Sequence, residues 1–206
     1  MDLQFYGANC ISVAYKGARL VVDDNLAEMG AKSVSKAEDV ALFTSSEHPV
    51  VNARLVFDGP GEYEVSDISI IGIPARAHMD EAGKMNATMF KLIAGDQSLL
   101  ITGHIYPELS EKQLETIGLV DAMVVPVGGN GYTVDPGGAL TLIKEVEPKL
   151  VVPTHYNDKS LKFPVPQQNL GDALKEMSME PKETAAKLRL KPAELTDVTQ
   201  LVVLQG

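Results

Sequence analysis

Residues 121–156, DAMVVPVGGNGYTVDPGGALTLIKEVEPKLVVPTHY, carry the pattern that decides the fold. Two apolar runs, DAMVVPV and KLVVPT, read as strands buried on both faces. Between them, Pro136 to Val146 carries apolar residues at helical spacing. A strand, helix, strand order places the chain in the α/β class. Upstream, Ser110-Glu111-Lys112-Gln113 is the Ser-x-x-Gln form of a capping box, and Leu114 and Ile117 then share a face, which predicts a helix from about Ser110 to Ile117. Downstream, Gln167 to Met177 has comparable spacing and predicts a third helix.

The first half is different in kind. LQFYG, ISVAYKGARLVVDD, DVALFT, ARLVFD, EYEVSDISIIGI and TMFKLIAGDQSLLIT are short, β-branched runs with turn punctuation. Lys16-Gly17 and Gly95-Asp96 fall where hairpin turns belong, so this half is expected to make antiparallel sheet. At the other end, the polar segment 180–186 reads as a mobile connection before closing strands at KLRLK and QLVVL.

With 206 residues, 45% of them hydrophobic, the chain suffices for one well-buried core, and residues 1–206 read as one domain. A net charge of -10 leaves no surplus of Lys and Arg to displace counterions from phosphate backbones, which argues against nucleic acid and anionic membranes as partners. Cys10 is the single cysteine and cannot form an internal disulfide; it reads as a small buried hydrophobe. The opening MDLQFYGANC has neither a basic n-region nor an apolar h-region, so a cytoplasmic protein is expected. No run reaches the length needed to span a bilayer.

All four histidines follow apolar runs: His48 after DVALFT, His78 after DISIIGIPAR, His104 after QSLLIT and His155 after KLVVPT. Strand ends at one sheet edge can aim several imidazoles at one point, as a metal site requires.

These residues, with LVVDDNL around Asp23, GPGEYEV (59–65), Asn86, LSEKQLETIGLVDAMVVPVGG and VVPTHY ending at Tyr156, resemble in order the metallo-β-lactamase superfamily. The resemblance is to its branch of sugar-phosphate lactonase-like bacterial metallo-hydrolases. It implies an αββα sandwich of two mixed β-sheets flanked by helices, with the active site along the edge where the sheets meet. It also implies metal-dependent hydrolysis of a small-molecule ester, lactone or phosphoester.

The family's signature HxHxDH loop is where this chain departs. Aligning Thr44 with the family's threonine puts Ser45 and Glu47 at the two leading histidines, Pro49 at the aspartate and Val50 at the last histidine. A one-residue slip brings His48 onto the second histidine and restores nothing else. Loss of the aspartate argues against a dinuclear site. The other loops are better kept: His78 matches the third histidine, His104 stands where the family has its bridging aspartate, and His155 matches the last histidine. Three neutral imidazoles suffice for one divalent metal, with Zn2+ the first choice. Glu47, or Asp80 two residues beyond His78, is the expected base or proton shuttle. Asp23 is expected to act structurally, and His48 reads as a packed residue.

The glycine-rich stretch from Gly128 to Gly138 lacks the GKS or GKT ending of a phosphate loop. It reads as turns at the site rim, with Asn130 and Tyr132 as substrate contacts. Two function classes follow: the metal-dependent hydrolase, and a catalytically inactive relative that keeps the sandwich for binding or structure. A nuclease is disfavoured by the acidic balance, and oligomeric state is open.

Overall fold

The computed structural model describes residues 1–206. Its strands run β1 (Asp2–Gly7), β2 (Cys10–Tyr15), β3 (Ala18–Val22), β4 (Val40–Leu42) and β5 (Leu55–Phe57), then β6 (Gly61–Val65), β7 (Ile68–Ala75), β8 (Ala87–Ala94) and β9 (Gln97–Ile101). Helix α1 (Glu111–Ile117), β10 (Ala122–Pro126), α2 (Pro136–Val146), β11 (Leu150–Thr154) and α3 (Leu170–Glu176) alternate before β12 (Glu183–Ala185), β13 (Leu188–Arg189) and β14 (Gln200–Leu204). One sheet has the order β13-β1-β2-β3-β4-β5 and the other β12-β14-β11-β10-β9-β8-β7-β6. Both are mixed, as expected.

Period-two side-chain alternation explains why the central runs are apolar throughout. Leu99, Ile101, Val124 and Val152 face the six-stranded sheet and join Leu3, Phe5, Ile11, Leu20 and Val22 in a shared core of 25 buried residues. Their neighbours Leu100, Met123, Val125 and Val151 face the opposite way, against Leu142 and Ile143 of α2 and Leu174 of α3. The outer face of the six-stranded sheet has a thinner cover. There Cys10 and Val21 pack under Leu26 and Met29 of a 3-10 turn and under Leu161.

Several boundaries differ from the sequence reading for identifiable reasons. The Lys16-Gly17 and Gly95-Asp96 turns do join antiparallel strands. However, β3, β4 and β5 pair in parallel, so the first half is not wholly antiparallel. The capping box at Ser110 and Gln113 forms, and α2 has the expected limits with Asp135 as its N-cap. The third helix begins at Leu170 rather than Gln167, because Asn169 is its N-cap and the Gln167 side chain is engaged elsewhere. Segment 180–186 is not merely a connection: β12 lies within it and pairs in parallel with β14. Its edge position leaves Glu183 and Thr184 exposed, so no hydrophobic pattern marks it. No helix is long and apolar enough to cross a membrane.

Candidate active site

Asp23 and Asn25 follow β3, Thr44 to Glu47 follow β4, His78 follows β7, His104 follows β9 and His155 follows β11. Chain segments leaving the carboxyl ends of neighbouring strands form the cleft, the usual place for a site in open α/β sheets. The cleft has two lobes. An inner lobe of about 360 Å3 is lined by Asn9, Asp23, Glu28, His155 and Lys162. An outer lobe of about 490 Å3 is lined by Ser45, Glu47, His78, Met79, Asp80 and Asn86. Asn25, His104 and Tyr132 line both and form the wall between them.

Each loop is held by its local sequence. Gly103 has φ +64° and lies against the Thr44 side chain, leaving no room for a Cβ, so the chain turns there and presents His104. The His78 N–H donates to the His104 carbonyl at 2.8 Å, fixing those two loops to each other. His155 takes a left-handed φ of 53°, and its N–H donates to the Ala8 carbonyl at 2.7 Å.

The floor is a chain of buried hydrogen bonds. Thr154 Oγ1 donates to Asn9 Oδ1 and Asn9 Nδ2 donates to Asp23 Oδ2, both at 2.6 Å. Asp23 also accepts from Thr44 N–H and Oγ1, each at 2.7 Å. Burial pushes the Asp23 carboxyl upward, while the bonds from Thr44 and Asn9 pull the other way. The Asp23 side chain thus orders the start of the loop after β4.

His104 and His155 meet edge to face, with ring centroids 4.6 Å apart. Burial pushes His104 down to about 4, with His78 adding to the effect. It pushes His155 down to about 3, with His104 adding. Both imidazoles are therefore neutral near pH 7, the form in which imidazole binds a metal. Nδ1 of His78 is buried with no hydrogen-bond partner. The donor set fits a divalent ion in kind, and an unpartnered buried imidazole nitrogen is what such an ion satisfies. In arrangement the fit is partial: no three His, Cys, Asp or Glu side chains converge closely enough to share one ion.

The remaining residues singled out by sequence divide. Glu47 is exposed on the outer lobe, its N–H donating to Ser45 Oγ. Tyr132 stands beside both imidazoles, with centroids 5.6 Å from His104 and 5.8 Å from His155. Burial, and then Glu28, raise its phenol, so it is a proton donor at neutral pH. Asp80 lines the outer lobe, but its carboxylate accepts from Ala77 N–H, Asn86 N–H and Asn86 Nδ2. Desolvation works upward on it and these bonds outweigh that, leaving the carboxyl below its ordinary value.

Asn130 lies outside both lobes, where its side-chain amide donates to the Pro166 carbonyl. His48 is also apart from the cleft: its ring stacks on Phe43 at 3.9 Å and bonds to Pro49 O and Asp58 Oδ2. Sequence reasoning missed Asn9, Asn25 and Lys162. Asn25 ends the VVDDN run and had that position as a signal; the other two had none.

Residues 2–155 match the beta-lactamase superfamily domain. Among solved structures, a candidate Zn-dependent hydrolase of the metallo-β-lactamase superfamily from Thermotoga maritima is similar over 99% of this chain and 98% of that one. Its identity is 25% and its TM-score 0.74. Igni18, a metallo hydrolase from the archaeon Ignicoccus hospitalis, aligns over 86% of this chain and 90% of that one, at 17% identity and TM-score 0.60, a likeness of fold. A UPF0173 metal-dependent hydrolase of Carboxydothermus hydrogenoformans is 39% identical over 72 residues. That match spans 35% of this chain and 31% of the relative. With two mixed sheets, helices on the outer face of the larger sheet and the domain match over most of its length, the chain belongs to the metallo-β-lactamase superfamily.

Proposed function

We propose that the protein is a metal-dependent hydrolase with a remodelled site for one divalent ion, zinc in the first instance. The observation that carries this reading is the pair of neutral imidazoles, His104 and His155, meeting in the cleft, with the unpartnered Nδ1 of His78 on a loop bonded to that of His104. His104 and His155 would hold the ion; His78, which does not converge with them closely enough to share it here, would have to move toward them to serve as the third donor. A divalent ion bound there would supply Lewis-acid polarisation of an ester, lactone or phosphoester oxygen.

The chain's own groups then take the following roles. Glu47, at the outer lobe and not committed to closing a turn, receives the proton of the attacking water as that water's oxygen bonds to the acyl carbon or phosphorus. Tyr132 donates the proton of its phenol to the leaving alcohol oxygen as the bond from that oxygen to the acyl carbon or phosphorus breaks, and recovers it from the proton taken up by Glu47. Asp80 closes the loop after His78, since its carboxylate is already occupied. Asp23 and Asn9 keep the floor in place. Matched relatives described as metal-dependent or Zn-dependent hydrolases support the reading.

The rewritten signature loop and the incomplete convergence of donors favour a second reading, a catalytically inactive relative that binds or scaffolds. The two differ in the response to chelation. The hydrolase reading predicts that zinc raises the melting temperature of chelator-treated protein. It also predicts hydrolysis of at least one member of an ester, lactone and phosphodiester panel, and loss of both effects in His104→Ala. A melting temperature and activity indifferent to zinc and chelator would establish the inactive relative instead.

A further inference from the structure

Gln167 is buried, and none of the roles assigned so far uses it. Its carboxamide meets the His155 ring, with Oε1 3.0 Å from Nδ1. The other end of the carboxamide is committed as well, because Nε2 donates to the Val165 carbonyl at 3.0 Å. That second bond fixes which way the amide faces. A reversed carboxamide would set its oxygen against the Val165 carbonyl oxygen, two acceptors with no proton between them. Oε1 is therefore held toward the imidazole, and an oxygen without hydrogen requires a donor opposite.

We propose that Gln167 is a positioning residue that fixes His155 as the Nδ1–H tautomer and leaves the ring's lone pair on Nε2.

The surrounding backbone is built to keep this contact. Gln168 N–H donates to the Gly128 carbonyl, and Asn157 N–H donates to the Gln168 carbonyl, both at 2.9 Å. These bonds tie the segment after Phe163 to the loop after β10 and to the His155 loop. Gly128 lies so close to the His155 carbonyl and to Gln167 Oε1 that a Cβ would overlap both. The glycine there is a spatial requirement of the pair. An imidazole that ligates through one nitrogen needs an acceptor on the other, and removing such an acceptor typically weakens a metal site about 10–100-fold. That consequence rests on the proposed metal site; the tautomer does not.

The test is the long-range 1H–15N correlation spectrum of 15N-labelled, chelator-treated protein at neutral pH, with the His155 ring assigned by its loss in His155→Gln. The wild-type ring is expected to carry its proton on Nδ1. Gln167→Leu removes the acceptor and is expected to move the proton toward Nε2. Gly128→Ala leaves the Gln167 side chain intact but displaces it, and is expected to shift the pattern as Gln167→Leu does. An Nε2–H ring in the wild-type protein overturns the assignment whether or not the variants fold, and so does an unchanged pattern in a folded Gln167→Leu. Zinc affinity, measured by competition with a chromophoric chelator, is expected to fall about 10–100-fold in Gln167→Leu. Wild-type protein that shows the Nδ1–H ring and binds no zinc upholds this inference and overturns the metal reading. Protein that binds zinc with the opposite tautomer does the reverse.

Discussion

Thr154, Asn9, Asp23 and Thr44 share one run of short hydrogen bonds although they belong to four different chain segments, and all four are buried. A buried acceptor stripped of its donor costs about 1–3 kcal/mol. Thr154→Val keeps the shape and leaves Asn9 Oδ1 without its donor, so urea denaturation should show a loss of that size; a change near zero would mean the run does not bear on stability. Cys10 lies beside this floor. Burial raises its thiol well above the ordinary range, with Asp24 and Asp23 adding, so little thiolate forms in the folded protein. Folded protein should resist alkylation at pH 8.5 and react in denaturant, and rapid labelling of the native state would refute the buried placement. The buried, apolar character of Cys10 was legible from the sequence. The floor was not, because hydrogen-bond partners 14 and 145 residues apart leave no local pattern.

At the scale of elements, legibility followed burial. Strands covered on both faces, such as β10 and β11, and α2 with its Asp135 cap, announce themselves through continuous or periodic apolar residues. β12 does not, since it is short and lies at a sheet edge; β13, equally short and at an edge, was legible in the KLRLK run. β13 is held to β1 by charge: Asp2 accepts from Lys187 at 2.9 Å and from Arg189 at 3.1 Å. Lys187, and then Arg189, hold the Asp2 carboxyl below its ordinary 3.8, against an upward push from burial. A lowered carboxylate adds stability at neutral pH that is lost as pH falls through its folded-state value. Because both cations are largely exposed, Asp2→Asn should cost only about 0.5–1 kcal/mol at pH 7. The gap between variant and wild type should begin to narrow as pH falls below about 3.8 and vanish at lower pH, once the folded-state carboxyl is protonated as well. A gap that persists in acid would assign the effect to packing rather than charge.

For the whole molecule, one core joins the two sheets, with Leu3, Ile11 and Leu20 meeting Phe90, Val124 and Val152. We take residues 1–206 as one domain on that basis, and expect circular dichroism and tyrosine fluorescence to report a single, coincident urea transition. Two separated transitions would divide the chain. The site lies along an edge where loops from both sheets come together, so its geometry depends on how the sheets sit together. The family resemblance therefore carried the placement of His78, His104 and His155 around one cleft, while the incomplete convergence of their rings could be seen only in three dimensions.

Metal content per chain tests the central claim most directly. Protein stripped with chelator is reconstituted with zinc, manganese or iron and measured by mass spectrometry beside a His78/His104/His155 triple-alanine variant. One equivalent per wild-type chain, lost in the variant, is the predicted result. Wild-type protein that retains no metal, or a variant that retains as much, would contradict the metal-dependent reading.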